Sequence, residues 1–176
     1  MLTNNGLTGT QLKMGARYFM SSDMSVFANF GSINKVPILD QAIDDEDYAI
    51  MESPVQENFT SLEVGTRASL MNNQMTVNAV WYNSTWADRQ ARKYAQNAEG
   101  QSIVAQLEGL DQLHTGIELE VAYQPMPMMR VDAALGIGNW TYTSDVKAKY
   151  EDWDGGSKQT KEATLYIKDL HVGDSP

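Results

Sequence analysis

Six stretches of this chain alternate apolar and polar residues with a period of two, and that alternation restricts the fold more than any other feature. In 12–20, Leu12, Met14, Ala16 and Tyr18 oppose Lys13, Gly15, Arg17 and Phe19. In 24–33, Val26, Ala28 and Phe30 oppose Ser25, Phe27, Asn29 and Gly31. In 59–70, Leu62, Val64, Ala68 and Leu70 oppose Ser61, Glu63, Gly65, Arg67 and Ser69. In 75–86, Met75, Val77, Ala79 and Trp81 oppose Thr76, Asn78 and Tyr82, with Val80 breaking the pattern. In 114–123, Ile117, Leu119, Val121 and Tyr123 oppose Gly116, Glu118 and Glu120. In 129–142, Met129, Val131, Ala133, Leu135 and Ile137 oppose Arg130, Asp132, Gly136 and Gly138. Successive side chains of a strand point to opposite faces, so each stretch reads as a strand with one greasy side. The sequence predicts an all-β chain of antiparallel hairpins, a meander, with a further strand starting at 165–168.

The connections alternate in length. Ser21–Asp23, Met71–Gln74 and Gln124–Pro127 read as tight turns, rich in turn-forming residues. Between them lie the long polar segments 34–58, 87–113 and 143–164, read as loops. Structureless loops of that length are uncommon in compact soluble domains. In outer-membrane barrels, short turns at one end and long loops at the other are the rule.

A sheet with one apolar face either packs that face on a second sheet or exposes it to lipid. The runs reach the roughly 9–11 residues of a transmembrane strand, beyond the usual strand of about 5–6. Glycines share the polar face with charges, and a strand glycine calls for something that approaches the backbone closely; a filled barrel interior would provide it. Tyr18 and Tyr123 near the turn end of the apolar face, with Phe30 and Trp81 toward the loop end, read as aromatic girdles. These features favour part of a transmembrane β-barrel over 1–176. The alternative is a soluble or surface β-sandwich that binds a partner with its long loops.

Charge and composition remove other classes. The chain has 176 residues, 42% of them hydrophobic, and a net charge of −10. It has no cluster of Lys and Arg of the kind that binds nucleic acid; the densest basic run is Arg89, Arg92 and Lys93. With no cysteine, disulfides, thiolate metal sites and thiol nucleophiles are excluded. The N-terminal stretch "MLTNNGLTGTQLKMG" lacks the charged and apolar regions of a signal peptide. No run is long and apolar enough for a transmembrane helix.

Motifs within the runs carry a family resemblance. "ENFTSLEVGTRASLMNNQMTVNAVWYNSTWADR" holds Glu57, Glu63-Val64-Gly65, Tyr82-Asn83, Trp86 and Asp88-Arg89. "LHTGIELEVAYQPMPMMRVDAALGIGNWTYTSD" holds Gly116-Ile117-Glu118, Glu120 and Gly138-Asn139-Trp140. Together with "VFANFGSINKVPILDQ" and the tail "YIKDLHVGDSP", these stretches resemble the barrel strands of TonB-dependent outer-membrane receptors. The resemblance implies a bacterial outer-membrane protein for energised uptake of a scarce nutrient, of the metal-chelate or oligosaccharide class. The implied partners are the rest of a barrel of about 22 strands, a plug domain, the TonB complex and outer-membrane lipid. The plug, the TonB-contacting segment and a terminal aromatic strand have no counterpart in the sequence. The chain therefore reads as a segment from the later half of such a barrel, contributing wall and external loops.

Candidate site residues follow from the faces. Arg17, Glu63, Arg67, Glu118, Glu120, Arg130 and Asp132 would point into the lumen, toward a plug or ligand, or would pair with one another along the wall. Tyr150 and Trp153 would present aromatic contacts at an external loop tip. Asp44, Asp45 and Asp47 sit in an acidic loop where close carboxylates could hold Ca²⁺, but the EF-hand spacing is absent and a solvated loop accounts for them. His114 and His171 lie far from any nucleophile motif. Glu118 and Glu120 share a strand face as a glycosidase pair might. No enzyme activity and no cofactor are expected.

Overall fold

The computed structural model describes residues 8–37, 55–97, 100–154, 157–173 and 175–176. Among them are ten strands and no helix. They are β1 (Thr10–Phe19), β2 (Met24–Lys35), β3 (Glu57–Leu70), β4 (Met75–Ala87), β5 (Ala91–Gln96), β6 (Ser102–Glu108), β7 (Gln112–Met126), β8 (Met129–Tyr142), β9 (Val146–Asp154) and β10 (Ser157–Leu165). A six-stranded sheet runs β1-β2-β3-β4-β7-β8, and a four-stranded sheet runs β10-β9-β6-β5. Every pairing is antiparallel.

The six strands of the larger sheet are those that the alternation predicts, extended by up to three residues at an end, except that β1 stops at Phe19, one residue short of the expected 12–20. The turn residues explain the tightness of the middle hairpin: Met71, Asn72 and Asn73 all adopt left-handed φ (54°, 54° and 66°). Asparagine tolerates that conformation better than other side chains. At the third hairpin the strand continues to Met126, with a register irregularity between Tyr123 and Met126. The turn there is therefore shorter than Gln124–Pro127.

Two segments read as loops are strands. Segments 87–113 and 143–164 build the second sheet, in which β6 pairs with β5 on one side and β9 on the other. Their alternation is real but diluted by charge: Val146, Ala148 and Tyr150 alternate with Lys147, Lys149 and Glu151. The segment 165–168 does not begin a strand, since β10 ends at Leu165. The tail instead meets the edge of β8 slightly later. Thr141 bridges His171, and backbone bonds join Tyr142 N to Leu170 O (3.0 Å) and Val172 N to Trp140 O (2.9 Å).

The register fixes the two faces of the large sheet. One unbroken row is Tyr18, Val26, Thr66, Ala79, Leu119 and Leu135, each directly opposite the next. Directly opposed residues share a face, so all the apolar positions of the six runs lie on one side. That side is uncovered. Leu119 is 36% exposed, Val131 46%, Ile117 57% and Ile137 66%. The two sheets do not stack on one another; extensive strand contacts run only between hydrogen-bonded neighbours. The buried hydrophobic cluster is instead small and lies with the second sheet: Leu107, Leu110, Val146 and Ala148, flanked by Ala91, Ala105, Tyr142 and Ile167.

The strands of the six-stranded sheet reach unequally toward the turns, while their loop-side ends stay level, seven to nine residues from the row through Tyr18. Counted from the row through Tyr18, β1 ends one residue toward the turns (19 − 18) and β8 ends six (135 − 129). The sheet is open, because β1 and β8 lie at opposite edges and the described residues close no barrel.

Candidate functional site

The polar face of the large sheet carries the chemistry. At its loop end a chain of contacts crosses five strands, β2, β3, β4, β7 and β8. Glu57, the first residue of β3, is 3% exposed. Its Oε2 lies 3.2 Å from Lys35 Nζ and accepts from Trp86 Nε1 at 3.1 Å. The Trp86 ring stands edge-on to Phe59, with centroids 6.0 Å apart, and carries the Arg89 guanidinium 4.5 Å above its centre. Arg89 donates to Gln112 Oε1 at 3.4 Å, and His114 Nε2 lies 3.0 Å from the same oxygen. An amide oxygen can only accept, so Nε2 carries a proton in this arrangement. The His114 ring stacks on Trp140 at 4.5 Å and 11°, and Trp140 Nε1 donates to Tyr82 Oη at 2.9 Å. Charge-assisted and ring contacts of this kind fix side chains that would otherwise move in a wide hollow.

Three glycines of this face have a local explanation, while Gly31 and Gly136 on the same face border open space. A Cβ on Gly116 would meet both Ile137 O and Tyr82 Oη at 2.5 Å, and one on Gly138 would meet Tyr82 Oη at 2.8 Å. A Cβ on Gly65 would meet the Phe27 ring and Ala79 O, the latter at 2.8 Å. The objects that approach the glycine backbones are thus Tyr82 and Phe27 of the same sheet, lying flat across neighbouring strands. No filler of the interior is needed to account for these three. Such aromatic cover of strand glycines restores the packing that a missing side chain forfeits.

All seven charged residues expected in the lumen stand on the polar face and line its hollows. Glu63 and Glu118 border a hollow of about 670 Å³ with Lys13, Val80, Tyr82 and Trp140. Val80, which breaks the alternation, forms part of its floor. Arg67, Glu120, Arg130 and Asp132 border a second, of about 590 Å³, nearer the turns. Arg17 and Arg67 share a third, of about 420 Å³. Several members are paired locally. Asn29 donates to Glu63 Oε2 at 3.2 Å and Asn78 to Glu120 Oε2 at 3.3 Å. Arg130 binds Asp132 two residues along β8 through contacts of 2.7–3.0 Å.

Other candidates stand elsewhere. Tyr150 is half-buried in the middle of β9, opposite Ala105 and Lys161, and is not at a loop tip. Trp153 lies in β9 opposite Lys158, and its side chain is outside the described residues. Asp44, Asp45 and Asp47 also lie outside the described residues. Among the described residues no three His, Asp or Glu side chains converge as a metal site. Glu118 and Glu120 share the polar face, and the His171 backbone is part of the β8 edge pairing.

The sequence motifs contain Glu57, Tyr82, Trp86, Arg89 and Trp140, but nothing in them joins these residues into one cluster. Its signal was present in the phase of the large aromatics. Phe59, Tyr82, Trp86 and Trp140 occupy the positions that alternate with the apolar rows, so each falls on the polar face. No family description, curated protein or solved structure matches the chain.

Proposed function

We propose that the six-stranded sheet is a section of the wall of a transmembrane β-barrel in a bacterial outer membrane. In this reading the chain is a segment of a receptor of the TonB-dependent kind, which takes up a scarce metal chelate or oligosaccharide. The observation that carries the reading is the uncovered apolar face, unbroken across six strands. Its apolar positions extend six to eight residues along each strand, for example 75–81 in β4 and 129–137 in β8. At about 3.3 Å per residue this is roughly 20–27 Å, the scale of the apolar band of about 25 Å on outer-membrane barrels.

Burying that face in hydrocarbon contributes about 25 cal/mol per Å² of apolar surface. Left in water it would be an exposed patch far larger than soluble monomers carry. The sequence motifs support the same reading. The aromatic rows support it less. Phe30 and Tyr18, on paired strands, stand four register rows apart (30 − 26), about 13 Å along the strands, closer than girdles at the two rims of a bilayer. Under this proposal the second sheet prolongs the wall beyond the membrane on the external side. The polar face, with its hollows, meets a plug or the passing nutrient, and the rest of the barrel closes on the edges of β1 and β8. No bond chemistry is assigned to any residue.

The test is a pair of lysines. Leu119→Lys places a charge in the middle of the apolar band, and Ala134→Lys places one on the polar face. If the band meets lipid, refolding into vesicles is weakened by about 2–4 kcal/mol for the first and little for the second. Equal stability of the two variants in vesicles would overturn the proposal.

A further inference from the structure

We propose that Arg17 and Arg67 form a clamp for an oxyanion, a carboxylate or phosphate group of a small acidic ligand, above the buried hydroxyl of Ser25. Arg17 Nε donates to Ser25 Oγ at 2.9 Å. Ser25 stands directly opposite Arg67 in the β2–β3 register, a relation that brings Cβ atoms to about 4.5–5.5 Å. One guanidinium thus binds a hydroxyl that is 2% exposed, and a second arginine starts from the position directly opposite it.

Both arginines line the hollow of about 420 Å³, together with Phe27, Asn29 and Asn78, and no carboxylate lines it. The acids in adjoining register positions are turned to the asparagines: Glu63 accepts from Asn29, and Glu120 from Asn78. Arg67 has no hydrogen-bond or ion-pair partner among the described residues, while Arg17 has only Ser25 and the face of Phe19, 4.8 Å away. Arg130 on the same face shows the contrast, since Asp132 neutralises it at 2.7 Å.

Neighbouring like charges oppose one another, and in a chain of net charge −10 an unneutralised pair is conspicuous. The hollow that the two share lacks an acid, although Glu120 and Asp132 border the adjoining one that Arg67 also lines. The planar forks of two arginines match the oxygens of a carboxylate or phosphate, with short charge-assisted bonds. The clamp is a property of the polar face and does not depend on whether the opposite face meets lipid.

The experiment titrates the folded full chain with citrate and, separately, inorganic phosphate. Binding is read by calorimetry and by the arginine Nε–Hε resonances. The expected result is saturable binding of at least one probe, with citrate and phosphate distinguishing the carboxylate from the phosphate source. Arg17→Gln and Arg67→Gln should each weaken it at least tenfold, while Arg130→Gln leaves it within twofold. Where a Gln variant fails to fold, the wild-type resonances decide. Shifts at Arg17 and Arg67 support the clamp, and shifts confined to other arginines overturn it. Absence of binding by both probes, or an equal loss in Arg130→Gln, also overturns it.

Discussion

The two sheets of this protein solve the problem of apolar surface in opposite ways. The four-stranded sheet has short strands of six to nine residues. In it or beside it lie the four buried hydrophobic residues among those described, Leu107, Leu110, Val146 and Ala148. The six-stranded sheet has strands of ten to fifteen residues, far more apolar side chains, and none of them fully buried. One sheet contains what holds it together; the other presents it outward. Regular alternation is therefore no guide to where a core lies. The surroundings of the long sheet must supply what its own packing does not.

This contrast predicts that damage to the small core stays local. Leu107→Ala removes the side chain at the centre of the buried cluster, and a Leu→Ala change at a buried site costs about 2–5 kcal/mol. The lower end applies, because so small a cluster can collapse around the gap. Hydrogen exchange should accelerate in β5, β6 and β9 and remain unchanged in β2, β3 and β4. Uniform acceleration through both sheets would show that they open as one unit and would remove the distinction.

A smaller effect sharpens the comparison from the other side. The long sheet has its own rigid element on the polar face, where Tyr82 lies across Gly116 and Gly138. Gly116→Ala sets a methyl against the Ile137 carbonyl, a backbone atom that cannot step aside. Overpacking of this kind costs about 1–3 kcal/mol. The expected outcome is a lower unfolding midpoint and a shifted Tyr82 ring signal. An unchanged midpoint would mean that the strands separate there freely.

The strands of the long sheet were legible because each apolar residue sits at every second position for six to ten residues, and the structure pairs those residues directly. The second sheet was not legible for an equally specific reason. In β9 the alternating partners of Val146 and Ala148 are lysines, and one of them, Lys149, finds Glu108 at 3.2 Å on β6. Cross-strand ion pairs make a strand resemble a polar loop when it is read alone. Gly65, Gly116 and Gly138 were visible, but the side chains that cover them come from other strands. The link from Tyr82 to Gly138 exists only once β4, β7 and β8 are in register. The clustering of Glu57, Trp86, Arg89 and Gln112 likewise depends on the β3–β4 and β4–β7 registers.

In the proposed barrel wall, the row of Val64, Trp81, Ile117 and Ile137 meets hydrocarbon while Asn29, Asn78 and Ala134 meet water. The chain has no cysteine, so single cysteines at consecutive positions 115–123 of β7 can each carry a nitroxide without background. In lipid vesicles, collision with dissolved oxygen and with a water-soluble nickel complex should alternate residue by residue. Positions 117, 119, 121 and 123 should favour oxygen, and positions 116, 118, 120 and 122 should favour nickel. Labels that all favour nickel, or an oxygen preference on the even positions, would contradict the account.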